Sequence, residues 1–79
     1  MPETLSDLPS GKVASVRDLR CDHDEARRLR ELGVLEGREL EVVRAGDPLI
    51  CRVGGSRLGI CGWLARRIKV RETVADASA

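Results

Sequence analysis

Three cysteines, Cys21, Cys51 and Cys61, and a single histidine, His23, are the side chains best able to ligate a soft metal or serve as nucleophile and base. Together they match the donor count of a Cys3His site, but their spacing argues against that use. No C-x-x-C pair occurs, and Cys21 and His23 flank a helix start. Cys51 and Cys61 fall in opposite parity relative to their apolar neighbours, so their thiols are expected on different faces of the strands. Neither a metal nor any other cofactor is therefore expected; Cys51 reads as a core residue and Cys61 as a partly exposed thiol. His23 has no Ser, Cys or acid spaced to form a triad, and Asp22 and Asp24 beside it suit the positive end of a helix dipole. Gly46-Asp47-Pro48 and Gly54-Gly55 carry no Gly-x-x-x-x-Gly-Lys-Ser/Thr arrangement and lead into no helix, so no phosphate cradle is expected. With no catalytic set in view, the chain reads as a non-enzyme.

What remains is chemistry of contact. Arg27, Arg28 and Arg30 cluster on one short segment. They form either a solvated face balanced by Glu31 and the acids before it, or a docking surface whose guanidinium forks engage carboxylates. Trp63, the only aromatic residue, sits in a glycine-flanked turn where it either plugs one end of a strand barrel or anchors an interface. Both alternatives stand open at this level.

The frame around these residues is small. The chain has 79 residues, 42% hydrophobic and 34% charged, the balance of one globular domain with a thin core. An ordered core over about 5–71 and a frayed tail over 72–79 are expected. Lys and Arg number 14 against 13 Asp and Glu, a net charge of +1, and the signs alternate without a basic tract. A near-neutral domain with one aromatic lacks the field and the stacking platforms of a nucleic-acid binder. No apolar run approaches the ~20 residues that span a bilayer, and the acidic N-terminus lacks the order of an export signal, so a cytoplasmic protein with reduced thiols is expected.

Turn signals divide the chain into short elements. Pro9-Ser10-Gly11 precedes a first strand over Lys12–Leu19. Asp22 and Glu25 stand in the relation of a helix N-cap and its reciprocal N3 acid. Ala26, Leu29 and Leu32 then recur on one face of a helix that ends at Leu32, with Gly33 as the left-handed cap. Val34-Leu35-Glu36-Gly37 reads as a tight turn. Glu39–Arg44 and Leu49–Val53 alternate as half-buried strands, with Leu49, Cys51 and Val53 inward. Gly54-Gly55 turns the chain into a strand over Arg57–Cys61, Gly62–Arg67 suits a single helical turn, and Ile68–Arg71 closes the set. Five short strands and one brief helix between the first two predict a small mainly-β SH3-like barrel, whose closure would remove exposed sheet edges.

Leu8 with Gly11 and Val16, then Arg28-Leu29-x-x-Leu32-Gly33-x-x-x-Gly37, Glu41-Val42, Gly46-Asp47-Pro48, Val53-Gly54, Leu58 with Ile60, Ala65 and Ile68-x-Val70 together resemble the FeoA family of small ferrous-iron-transport proteins. The likeness runs from Leu5 to about Val70. It implies an SH3-like domain without enzyme activity, a monomer or weak homo-oligomer, acting beside FeoB, the membrane protein that carries ferrous iron inward and bears a cytosolic GTP-binding domain. Cys61-Gly62-Trp63 and Leu64 depart from the family pattern just before the last strand. The candidate partner contacts are Arg27, Arg28, Leu35 and Trp63. An RNA-binding SH3-like barrel, another protein partner unrelated to iron, and an arginine finger supplied in trans by Arg28 are the competing readings.

Overall fold

The computed structural model describes residues 3–73. Five strands, β1 (Val13–Leu19), β2 (Glu39–Arg44), β3 (Leu49–Val53), β4 (Ser56–Ile60) and β5 (Ile68–Glu72), form one antiparallel sheet in the order β4-β3-β2-β1-β5. A nine-residue helix, α1 (His23–Glu31), connects β1 to β2, and a four-residue helix, α2 (Gly62–Ala65), connects β4 to β5. β5 reaches Glu72 and the Thr73 N–H donates to the Val13 carbonyl, while 74–79 of the expected tail lie outside the described residues.

Alternation dictates the sheet. Leu40 and Val42 of β2, and Leu49, Cys51 and Val53 of β3, all face the core, as a period of two requires. In β1, however, Val16 and Leu19 are both buried although they stand three apart. A bulge reconciles them: the pairing with β5 shifts between Val16 and Asp18, so Arg17 is an extra residue turned outward and the inward phase resets behind it. A plain two-residue alternation through Leu19 does not foresee this.

The strands are not joined into a closed ladder by pairing of β4 with β5; both are edges of the sheet. The β5 edge is blunted instead by the N-terminal segment, where Thr4 bridges Lys69 and the Val70 N–H donates to the Glu3 carbonyl at 2.9 Å. Beyond that bridge a 3-10 turn, Leu5–Asp7, puts Leu5 and Leu8 into the core at 0% and 1% exposure. Asp7 fixes the turn, its Oδ2 accepting the N–H groups of Glu3 and Thr4 at 3.1 and 3.0 Å.

The helix begins and ends where its caps demand. Asp22 Oδ1 accepts the Glu25 N–H at 2.9 Å, but the expected reciprocal bond from Glu25 is absent, and Glu25 Oε1 is buried without a partner among the described residues. At the other end Gly33, with φ at +100°, lets its N–H reach the Arg30 carbonyl while the Val34 N–H reaches that of Leu29 at 2.8 Å. That turn overrides the expected apolar stripe. Val34 enters the core at 0% exposure, and Leu32, placed inward by its three-residue step from Leu29, is left 48% exposed.

Candidate interaction surface

Leu32 is not isolated. Together with Arg28 and Leu29 it forms one wall of a groove of about 380 Å³ whose other wall is Leu58 of β4, Cys61 and Leu64. Leu58, Leu64 and Leu29 supply an apolar floor backed by the core. Arg28 stands at the rim, with Glu25 beside it. A groove of this kind, open along an unpaired strand edge, can take an apolar side chain from another molecule and present a guanidinium fork to its carboxylates.

Trp63 lies elsewhere. It is 49% exposed on α2, so it plugs nothing; Leu5 and Leu8 fill the core instead. The Arg67 guanidinium sits 4.8 Å from its ring centroid, and the two line a second hollow with Arg20 and Arg66. Arg27 is exposed on α1, and Leu35 is half-buried in the α1–β2 connection, where its carbonyl accepts the Arg38 N–H at 3.0 Å. The structure thus brings Arg28 together with Leu32 and not with Trp63, and Arg27 and Leu35 line neither hollow. Leu32 escapes the sequence reading because a regular helix would turn it inward; Leu58 and Leu64 are half-buried against the core, and nothing in the strand or turn pattern places them beside Leu32.

The ionisable groups are tuned by simple neighbours. Arg30 pairs with Glu36 at 3.1 Å across the α1–β2 turn, which lowers the Glu36 carboxyl below its ordinary range. Burial raises the Cys21 thiol, with Glu25 and Asp22 adding to it, and burial alone pushes Cys51 up to about 11. Cys51 is a core residue, as its place on β3 predicts; Cys61 follows β4 rather than belonging to it and is exposed as the residue before α2. Among the described residues, no group of three or more His, Cys, Asp or Glu side chains is placed to hold a metal ion. No helix there is long and apolar enough to cross a membrane.

The family model described as the FeoA domain matches residues 3–72. The chain belongs to the FeoA domain family. Among solved structures, a FeoA protein from Chlorobium tepidum superposes with a TM-score of 0.85 at 31% identity, over 90% of this chain and 70% of that one. A FeoA from Stenotrophomonas maltophilia, described as complexed with zinc and as a prokaryotic SH3 domain protein, is 39% identical with a TM-score of 0.71, over 85% of this chain and 87% of that one. An iron uptake regulatory protein, FeoA, is similar at 29% identity and a TM-score of 0.83, over 89% of this chain and 96% of that one. No curated protein sequence matches this chain. The mainly-β, SH3-like architecture expected from the strand pattern is therefore that of FeoA domains, a family of ferrous iron transport. In this FeoA domain the Cys61-Gly62-Trp63 segment, where the sequence departs from the family pattern, forms the start of α2 and separates the two hollows.

Proposed function

We propose that this FeoA domain is a non-enzymatic, cytoplasmic accessory protein of ferrous iron uptake. It docks on the cytosolic part of a FeoB membrane transporter and modulates the transporter's activity or assembly. The observation that carries this reading is the exposure of Leu32 beside Arg28 over an apolar groove, in a chain whose family belongs to iron transport. An unpaired leucine over an apolar floor gains by being covered, and the guanidinium at its rim orients what covers it. Arg27 extends the same basic helical face, while Leu35 and Trp63 are proposed contacts outside the groove. Acting as a single domain, monomeric or weakly associated, such a protein shifts FeoB between conformations only by binding one of them more tightly.

Co-purification of this protein with its cognate full-length FeoB under native conditions tests the reading. Association at micromolar concentration is expected, and Leu32→Asp should weaken it by about tenfold or more, a change of about 1.4 kcal/mol. Absence of association at that concentration overturns the proposal. GTP hydrolysis by FeoB, measured with and without the protein, decides whether Arg28 also acts as an arginine finger; an unchanged rate removes that role.

A further inference from the structure

Opposite signs of charge alternate along the sequence, yet the fold separates them in space. The hollow of Trp63, Arg20, Arg66 and Arg67 adjoins a second, of about 450 Å³, lined by Glu3, Arg17, Asp18, Arg20, Lys69 and Val70, and Arg20 belongs to both. Five basic side chains and two acidic ones therefore face one continuous surface, in a chain whose formal charge is only +1. The acids are already engaged, Asp18 with Arg20 at 2.5 Å and Glu3 with Lys69 at 3.5 Å. None of the ion pairs among the described residues involves Arg17, Arg66 or Arg67. Backbone geometry holds them in place: the β1 bulge turns Arg17 outward, and the Arg20 N–H donates to the Arg67 carbonyl at 2.7 Å, which fastens the end of β1 to the segment after α2.

We propose that this face is a peripheral contact for an anionic bilayer surface. The three arginines reach lipid phosphates, and the half-exposed Trp63 indole, amphipathic and already capped on one side by Arg67, lies at headgroup depth. Guanidinium groups on long stems can spread over a planar array of phosphates without a fixed register. A protein segment would instead anchor itself with buried apolar side chains, and Trp63 is the only large apolar group lining the Arg20, Arg66 and Arg67 hollow. The contact is electrostatic and shallow, and no helix among the described residues is long and apolar enough to cross a membrane. The face uses residues other than the Leu32 groove, so it stands whether or not that groove takes a protein partner.

Trp63 is the only aromatic residue, so its fluorescence reports on this face alone. The purified protein is mixed with vesicles of phosphatidylglycerol and phosphatidylethanolamine, or of phosphatidylcholine only, and followed by emission wavelength and co-sedimentation. With the anionic vesicles at low ionic strength a blue shift and co-sedimentation are expected, both lost at about 500 mM salt. Arg66→Glu and, independently, Arg17→Glu should each reduce the bound fraction by at least about fivefold, with unchanged circular dichroism. Equal binding to neutral vesicles, or no sedimentation at low salt, overturns the proposal. So does an equal blue shift with millimolar glycerol phosphate, which would mean a soluble-phosphate site, or tighter binding of poly-glutamate, which would mean an acidic protein surface.

Discussion

Asp47 joins two turns that lie far apart in the chain. Its Oδ1 accepts the Gly62 N–H at 2.8 Å, capping the start of α2 with a carboxylate from the β2–β3 connection. The contact is so close that a Cβ on residue 62 would lie 2.9 Å from Asp47 Oδ2, which explains why glycine occupies the position although helices disfavour it. The sign of Gly62→Ala therefore depends on Asp47. In the native background alanine displaces the carboxylate and breaks the bond, so a loss of about 1 kcal/mol is expected. In an Asp47→Ala background there is nothing left to displace, and the higher helix propensity of alanine should make the same change neutral or stabilising by up to about 1 kcal/mol. Urea unfolding of the four proteins in the cycle measures this; additive losses would show that the Asp47 contact is not what excludes a side chain at residue 62. Nothing local in Gly46-Asp47-Pro48 discloses a partner fifteen positions away, and from sequence that segment reads as a turn and no more.

At the level of elements, the regular parts follow the sequence pattern, and the exceptions that move apolar side chains are places where one residue breaks a period. The alternation of β3 is visible in Leu49–Val53 because the strand keeps its phase from end to end, while that of β2 holds from Glu39 to Val42 and is reset by a register shift against β3 before Arg44. β1 loses it at Arg17, since a bulge depends on the partner strand, and α1 loses it at Leu32, since the left-handed turn at Gly33 hands the core position to Val34. The shift in β1 hides the burial of Leu19 and leaves Arg17 outward in either phase, whereas the turn at Gly33 hides the exposed leucine of the groove. The two ends of the D-x-x-E motif also part company. Asp22 bonds the backbone and Glu25 does not, its Oε1 left buried over the groove side of α1. Asp22→Ala should thus lower stability by about 1 kcal/mol, whereas Glu25→Met, which removes an unpartnered oxygen and enlarges the apolar wall, should leave stability unchanged or raise it by up to about 1 kcal/mol. A marked loss on Glu25→Met, read by thermal or urea unfolding, would mean that the carboxylate closes the cap in solution after all.

For the whole molecule, the shifted groups set a pH window for folding. Asp7 and Asp18 titrate below their ordinary value of 3.8, the first because it accepts backbone N–H groups of Thr4 and Glu3, the second because it pairs with Arg20. Glu36 titrates below 4.5 beside Arg30. A carboxylate depressed in the folded state stabilises the fold above its unfolded value, and the contribution disappears as pH falls through the folded one. Each of these groups is exposed, so the acid arm should be shallow. The alkaline arm has a different origin. Cys51 ionises near 9.0 when unfolded and at about 11 in the core, so both states hold the proton below pH 9 and nothing is lost there; above it only the unfolded chain releases the proton, and stability falls steadily towards pH 11. Urea unfolding from pH 3 to 11 should trace a plateau between these arms. Cys51→Val, which keeps the volume and removes the ionisable thiol, should flatten most of the alkaline fall and leave the acid side as it was, the remainder belonging to the Cys21 thiol, which burial also raises. An alkaline fall undiminished in that variant would show that the Cys51 thiol is not its cause.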